Sequence, residues 1–108
     1  MNRFIFVANE TLHAPHLIDL EIAQVLRRYV RSAIISAERG AEALIDLVDF
    51  PLTRYPHFVL LTRIWQMRHS LTAYDAAYLA LAEALDAPLI TRDRALARAG
   101  SQVRVEVI

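Results

Sequence analysis

The sequence predicts a single α/β domain whose short, mainly parallel sheet is flanked by helices. Short segments rich in Val, Ile and Phe alternate along the 108 residues with longer segments whose apolar residues recur at helical spacing. Hydrophobic residues make up 56% of the chain, which is enough to build one core. No repeat, linker or low-complexity stretch divides the sequence, so we expect residues 1–108 to form one domain.

The first half of the chain predicts two strands followed by two helices. Residues 3–8 (RFIFVA) and 11–14 are short segments bounded by turn or proline signals, which is typical of strands. Residues 17–32 place apolar side chains at helical spacing and predict the first helix. Ser36 is a favoured N-cap residue, so a second helix should run from residue 37 to about residue 49.

The second half continues the alternation of strands and helices. In order, the pattern predicts a strand at 50–55, a helix at 56–68, a helix ending at Leu85, a strand at 87–91, a short helix from Asp93 to about Gly100 and a strand at 103–108. Thr72 should cap the helix that ends at Leu85. Pro51 cannot donate a backbone hydrogen bond, so the strand that contains it should lie at an edge of the sheet.

Three carboxylates occupy positions where the pattern would not place an ordinary surface charge: Glu21, Asp75 and Asp93. Glu21 lies within the apolar stripe of the first helix, where a carboxylate is partly desolvated unless a charged group pairs with it. It belongs either to a functional site or to the rim of the helix, paired with an arginine. The helical pattern leaves both interpretations open.

Asp75 and Asp93 each have a structural alternative as well. Asp75 follows Thr72 by three residues and matches a capping box, although a helix N-terminus would also hold a carboxylate in place for a metal. Asp93 is either a plain N-cap or an acid at the carboxyl end of a parallel strand, where open α/β sheets bind ligands. Together, three acids from three elements predict one cluster, and oxygen-only ligands suit Mg²⁺ or Mn²⁺. Such ions activate water and stabilise an in-line displacement at phosphorus.

Three stretches of the chain resemble the motif series of VapC-type PIN-domain toxins, in the family's order and spacing. They are residues 12–21 (LHAPHLIDLE), 71–78 (LTAYDAAY) and 89–93 (LITRD). The resemblance implies a PIN-like, three-layer α/β domain. It also implies that Glu21, Asp75 and Asp93 take three of the family's acidic metal-site positions, and that Thr91 supports the site.

The same resemblance implies a function and a set of partners. The chain would be the toxin component of a type II toxin–antitoxin system, an endoribonuclease that requires Mg²⁺ or Mn²⁺ to cleave RNA. Its implied protein partners are a cognate VapB-type antitoxin and a second copy of the chain in a homodimer. Because the chain has no cysteine and no apolar run long enough to cross a membrane, we expect it in the cytoplasm.

The start of the chain departs from the family's pattern. Members open with a buried strand that ends in Asp and is followed by two helices, whereas this chain has no Asp before Asp19. We therefore expect the first βα unit and its metal ligand to be absent, or the protein to start further upstream. Only two residues join residues 3–8 to residues 11–14, and a parallel crossover needs about a dozen. Residues 3–8 could therefore replace the missing strand only as an antiparallel strand. This strand would lie within the same chain or be exchanged with a second subunit. The end of this strand nearest the acids would be residues 1–3, which restores no carboxylate.

The departure keeps a second function open, in which the chain is a catalytically inactive PIN module that dimerises or binds antitoxin. The formal net charge of zero argues against a general nucleic-acid coating protein but does not exclude a nuclease. His13 and His16 lack a second His or Cys pair at zinc spacing, so we expect the histidines at the surface or in an interface. Trp65, Tyr29, Tyr74 and Tyr78 fall at helix positions that favour the core or an interface.

Overall fold

Helices and strands alternate along the chain in the order that the sequence predicts. The computed structural model describes residues 3–6, 11–91, 94, 96 and 103–107. Its elements are β1 (Arg3–Phe6), β2 (Leu12–Pro15), α1 (Leu17–Arg31), α2 (Ala37–Asp49), β3 (Leu52–Tyr55), a 3₁₀ turn (Phe58–Leu60), α3 (Leu61–Gln66), α4 (Ala73–Leu85), β4 (Leu89–Thr91) and β5 (Val105–Val107). The predicted short helix from Asp93 to Gly100 lies largely outside the described residues. The α/β class is confirmed.

The five strands form one sheet in the order β3-β2-β1-β4-β5. β2 pairs parallel with β3, and β4 pairs parallel with β5, while β1 is antiparallel to both of its neighbours. β2, β3, β4 and β5 therefore all run in one direction. Their last residues lie together at what we call the carboxyl end of the sheet, where the amino end of β1 also lies. β3 is an edge strand, as Pro51 predicts.

β1 occupies the centre of the sheet and joins its two parallel halves. Ile5 is paired with His13 of β2 on one side and with Leu89 of β4 on the other. The predicted antiparallel substitute strand is thus confirmed for residues 3–6, whereas residues 7–10 lie outside the described part of the chain. The short connection explains the direction, because a parallel crossover needs about a dozen residues.

Helix α4 forms the centre of the core and contacts β1, β2 and β4. Every residue from 76 to 82 is buried, and alanines alternate there with larger side chains. The alanines let the helix approach the sheet closely, while Tyr78, Leu79 and Leu81 fill the space between. Burying one such leucine stabilises the fold by roughly 2 kcal/mol. This helix is therefore the most firmly held element near the predicted acids.

The helix N-termini are held by side chains from different sources. The Ser36 hydroxyl accepts a hydrogen bond from the backbone of Arg39 at 3.0 Å and caps α2 as predicted. Helix α1 has no side-chain cap of its own at His16. Instead, Nε2 of His57 accepts the hydrogen bond from the Leu17 backbone N–H at 3.0 Å. The sequence gives no local signal for this cap, because the two residues are 40 positions apart.

The segment after β3 differs from the single helix predicted for residues 56–68. It contains the 3₁₀ turn, the six-residue helix α3 and a series of turns through Ser70. Leu60, Ile64 and Met67 are buried at helical spacing, but Val59 is 72% exposed. A tighter turn rotates residues out of the apolar stripe of an α-helix, which explains the position of Val59. Among the described residues, no helix has the length and apolar character needed to span a bilayer.

Candidate functional site

Glu21 lies on the second turn of α1, shortly after β2 reaches the carboxyl end of the sheet. Its side chain is half-buried. The hydroxyl of Tyr78, on α4, donates a hydrogen bond to Oε1 of Glu21. Tyr78 itself is fully buried. The carboxylate is thus in contact with a rigid part of the core, which links α1 to α4 at this end of the sheet.

Asp75 lies in the first turn of α4 and has a half-buried side chain. Its backbone N–H donates to the Thr72 hydroxyl at 3.1 Å, so the predicted Thr72 cap is confirmed. Because α4 turns directly into β4, it runs antiparallel to that strand and its N-terminus lies at the carboxyl end of the sheet. Asp75 and Tyr78 are three residues apart and share one face of the helix. The structure therefore brings Asp75 and Glu21 to the same region.

Thr91 is the last residue of β4 and is fully buried. It is paired with Arg3 of β1 and Val107 of β5, so it lies in the interior of the sheet at its carboxyl end. Asp93, two residues further on, lies outside the described residues. The structure thus places Glu21, Asp75 and Thr91 at one end of the sheet and does not describe the third predicted acid.

The donor set at this end of the sheet fits a hard divalent cation. Glu21 and Asp75 offer carboxylate oxygens, which are the ligands that Mg²⁺ and Mn²⁺ prefer. Both carboxylates are half-buried, and a cation is held more strongly there than at an exposed carboxylate because water screens it less. Among the described residues, no three or more His, Cys, Asp or Glu side chains form a cluster that could hold a metal. Asp93 is not among the described residues.

The histidines near β2 and β3 make structural contacts. The Tyr55 hydroxyl is hydrogen-bonded to Nδ1 of His13 at 2.5 Å, and Nε2 of His13 is 2.9 Å from the Thr11 hydroxyl. The rings of His16 and His57 meet edge to face, with centroids 6.2 Å apart. His16 is exposed and His57 half-buried. The His13–Tyr55 contact joins β2 to β3, whereas the contact between His16 and His57 lies at the start of α1, the helix that bears Glu21.

A cavity of about 740 Å³ lies at the opposite end of the sheet. It is bounded by the start of β4 and by the residues before β5, including Pro88 and Arg104. Arg63 in its wall donates two hydrogen bonds to Glu83, at 2.6 and 2.9 Å. The hydrogen bond that Arg63 donates to Glu83 raises the pKa of Arg63 above its usual value. The charges of Arg63 and Glu83 therefore offset each other in this wall.

Sequence reasoning placed Tyr78 in the core or an interface, and the core position is confirmed. Its contact with Glu21 was missed. The one sequence feature that could have indicated a place near the acids is the position of Tyr78 three residues after Asp75, on the same face of the helix. Trp65 and Tyr74 are 67% and 64% exposed, so neither belongs to the core of this chain. An interface role for these two aromatic residues stays a prediction.

Comparison with known proteins identifies the family. The sequence profile of the PIN domain matches residues 3–102. A VapC ribonuclease of Mycobacterium bovis is 47% identical over 94 residues, which cover 87% of this chain and 74% of the relative. Ribonuclease VapC1 of Mycobacterium tuberculosis is 50% identical over 88 residues, covering 81% of this chain and 66% of the relative. Ribonuclease VapC12 of the same species is 36% identical over 100 residues, covering 92% and 78%.

These matches agree with the α/β fold. The profile covers nearly the whole chain, and the identities extend across most of it. The motif resemblance found in the sequence is thereby confirmed. The chain belongs to the PIN-domain family and, within it, to the group of VapC ribonucleases.

Proposed function

We propose that this chain is a divalent-metal-dependent endoribonuclease and the toxin component of a type II toxin–antitoxin system. The observation that supports this most strongly is the placement of Glu21 and Asp75. Two different helices bring these half-buried carboxylates to the carboxyl end of the sheet. The relatives named VapC ribonucleases give the reaction class, which is hydrolysis of RNA phosphodiester bonds.

The proposed roles of the residues follow from their positions. Glu21, Asp75 and Asp93 would hold Mg²⁺ or Mn²⁺, and Thr91 would fix the strand end that leads to Asp93. The bound cation would supply activation of a water molecule and charge stabilisation at the phosphate. The protein's own contribution is to carry Glu21 and Asp75 on helices that pack against the core. Such support matters because metal sites lose affinity when their ligands are free to rotate.

The proposed partners are an RNA substrate, a VapB-type antitoxin and a second copy of the chain, in the cytoplasm. Exposed apolar side chains on the 3₁₀ turn and α3 support the proposal that the chain binds these two protein partners. Phe58 is 81% exposed, and Val59, Leu61 and Trp65 are exposed beside it in the sequence. Where such side chains form a contiguous surface, it marks an interaction site more often than ordinary solvent-facing surface does. The family makes the antitoxin and the homodimer the natural candidates for covering it.

A second function, that of an inactive PIN module, is favoured by one observation. At the carboxyl end of the sheet, the residue opposite Thr91 on β1 is Arg3. β1 therefore begins there at Arg3, which offers no carboxylate. Fewer carboxylates would hold the metal less tightly, so we expect cation affinity and cleavage to be lower than is usual for the family. The module would then act through its antitoxin or its dimer.

Cleavage assays with a matched pair of variants test the proposed activity. Purified protein is incubated with structured RNA and Mn²⁺, beside Asp75→Asn and Asp46→Asn. Asp46 is an exposed acid of α2 that lies 3.8 Å from Arg39, far along the chain from the site. We expect the wild type and Asp46→Asn to cleave at equal rates, and Asp75→Asn to be slower by at least about 100-fold, because a ligand is lost.

The inactive-module function predicts a different outcome of the same assay. No cleavage by the wild type at any Mn²⁺ concentration, with antitoxin binding intact, would contradict the enzyme and support the module. Equal cleavage by all three proteins would show that the activity comes from another site or from a contaminant.

A further inference from the structure

Tyr78 makes a contact that core packing alone does not require. Its side chain is among the largest that the structure buries completely. A buried hydroxyl needs a hydrogen-bond partner, because leaving it unpaired is costly. The hydroxyl of Tyr78 uses Oε1 of Glu21 for this purpose. A phenylalanine would fill the same space and would not touch the carboxylate in this way.

The position of Tyr78 on α4 links the two described acids. Asp75 lies one turn before it on the same face of the helix, and Glu21 meets it from α1. The residues that follow Tyr78, as far as Ala82, are all buried, so the backbone that bears the ring is firmly held. The position of the hydroxyl is therefore fixed by α4, and its hydrogen bond orients the Glu21 carboxylate relative to Asp75.

We propose that Tyr78 is a positioning residue that holds the Glu21 carboxylate ready to bind the divalent cation beside Asp75. This inference rests on the proposed function, since it concerns the same metal site. A glutamate side chain has several rotatable bonds and loses conformational entropy when it binds a cation. The hydrogen bond from Tyr78 restricts that rotation beforehand. Groups that orient metal ligands in this way change metal affinity by about 10- to 100-fold when they are removed.

The test compares Mn²⁺ binding by two tyrosine variants. Tyr78→Phe keeps the ring in the core and removes only the hydroxyl. Tyr55→Phe is the matched control, because its hydroxyl also makes a short hydrogen bond, to His13 at 2.5 Å, on a different element. In calorimetric titrations of the metal-free proteins, we expect Tyr78→Phe to bind Mn²⁺ about 10-fold or more weakly than the wild type. Tyr55→Phe should bind as the wild type does.

A double-variant cycle separates positioning from a merely structural role. In a Glu21→Gln background the carboxylate is already lost, so Tyr78→Phe should cause no further loss of Mn²⁺ affinity. If the two losses add in full, Tyr78 acts through the core rather than through Glu21, and the inference is wrong. Tyr78→Phe binding Mn²⁺ within twofold of the wild type would also overturn it.

Thermal unfolding without metal checks that Tyr78→Phe still folds. If it does not fold, Tyr78→Met replaces it, because methionine fills irregular core space and also lacks the hydroxyl. Binding of Mn²⁺ by Tyr78→Met at least about 10-fold weaker than the wild type then supports the inference, and binding within twofold of the wild type overturns it.

The same titrations keep this inference apart from the proposed function. A wild type that binds no Mn²⁺ overturns both. A wild type that binds Mn²⁺ but cleaves no RNA overturns the proposed enzyme alone. A wild type that binds and cleaves, beside a Tyr78→Phe variant of equal affinity, overturns only the role of Tyr78.

Discussion

At the scale of single residues, an arginine on β3 links the first turns of α1 to α2. Nε of Arg54, on β3, donates to both carboxylate oxygens of Asp19, at 2.9 and 2.8 Å. Nη2 of Arg54 also donates to the carbonyl of Leu47 in α2, at 3.0 Å. Asp19 lies two residues before Glu21 on α1, so this network helps to set where the candidate site lies.

Asp19→Asn should therefore destabilise the fold and leave the metal ligands chemically intact. We expect the free energy of unfolding to fall by about 1 kcal/mol, since the pair is partly exposed and water screens it in part. Asp46→Asn, which alters a more exposed ion pair, should change stability by less than about 0.5 kcal/mol. Urea unfolding followed by circular dichroism measures both, and equal stability of the two variants would contradict this role for Arg54.

Local sequence patterns were sufficient to select Glu21 and Asp75 as candidates, because each stands at a recognisable place in a helix, whereas Thr91 was implied by the family resemblance. The contact between Tyr78 and Glu21 could not be predicted in the same way. The two residues are 57 positions apart, and their meeting depends on how α1 packs relative to α4. Asp93 stays a prediction, because it lies outside the described residues.

At the scale of elements, helices α1 and α2 approach closely at Gly40. This glycine is buried, and a Cβ atom added to it would lie 2.7 Å from Cγ2 of Val30. Such a distance is shorter than carbon atoms tolerate, and the β-branched side chain of Val30 has little freedom to move away. The contact explains why a helix that would gain stability from alanine has glycine at this position.

Gly40→Ala should therefore destabilise the protein by about 1 kcal/mol, because overpacking outweighs the gain in helix propensity. Adding Val30→Ala to the same chain should recover part of the loss, since it removes the methyl group that the new Cβ meets. Thermal unfolding of the single and double variants measures both effects. A Gly40→Ala protein more stable than the wild type would show that the two helices can separate without cost.

Helix boundaries were predicted well where capping residues mark them and less well elsewhere. Ser36 and Thr72 identify the starts of α2 and α4 from their own side chains. The predicted helix at 56–68 contains no such signal between its ends. Its apolar spacing could not reveal the 3₁₀ turn that precedes α3, because Leu60, Ile64 and Met67 are buried in either conformation.

At the scale of the whole molecule, the sheet depends on the antiparallel strand at its centre. The direction of β1 was predictable because only a hairpin can join it to β2. β1 lies between β2 and β4, where it joins the parallel pair β2/β3 to the parallel pair β4/β5. The order of the remaining strands could not be obtained from local patterns, since it reflects how α4 covers β1, β2 and β4.

Ile5→Pro should disrupt the sheet, because Ile5 is paired on both sides and proline removes a backbone donor. We expect a loss of about 3 kcal/mol or more, enough to abolish cooperative unfolding in a domain of this size. Ile5→Val is the conservative control and should stay cooperative. Calorimetry of both variants tests this, and a cooperative, wild-type-like transition for Ile5→Pro would mean that β1 is not central in solution.

We expect the carboxyl end of the sheet to hold one divalent cation between carboxylates from different elements. Crystals soaked in Mn²⁺ and measured at the manganese absorption edge locate the ion directly by its anomalous scattering. We predict a peak in contact with the carboxylates of Glu21 and Asp75 in the wild type, and its loss in Asp75→Asn. A peak bound elsewhere on the molecule, or none at Mn²⁺ concentrations that saturate the calorimetric titration, would contradict the claim.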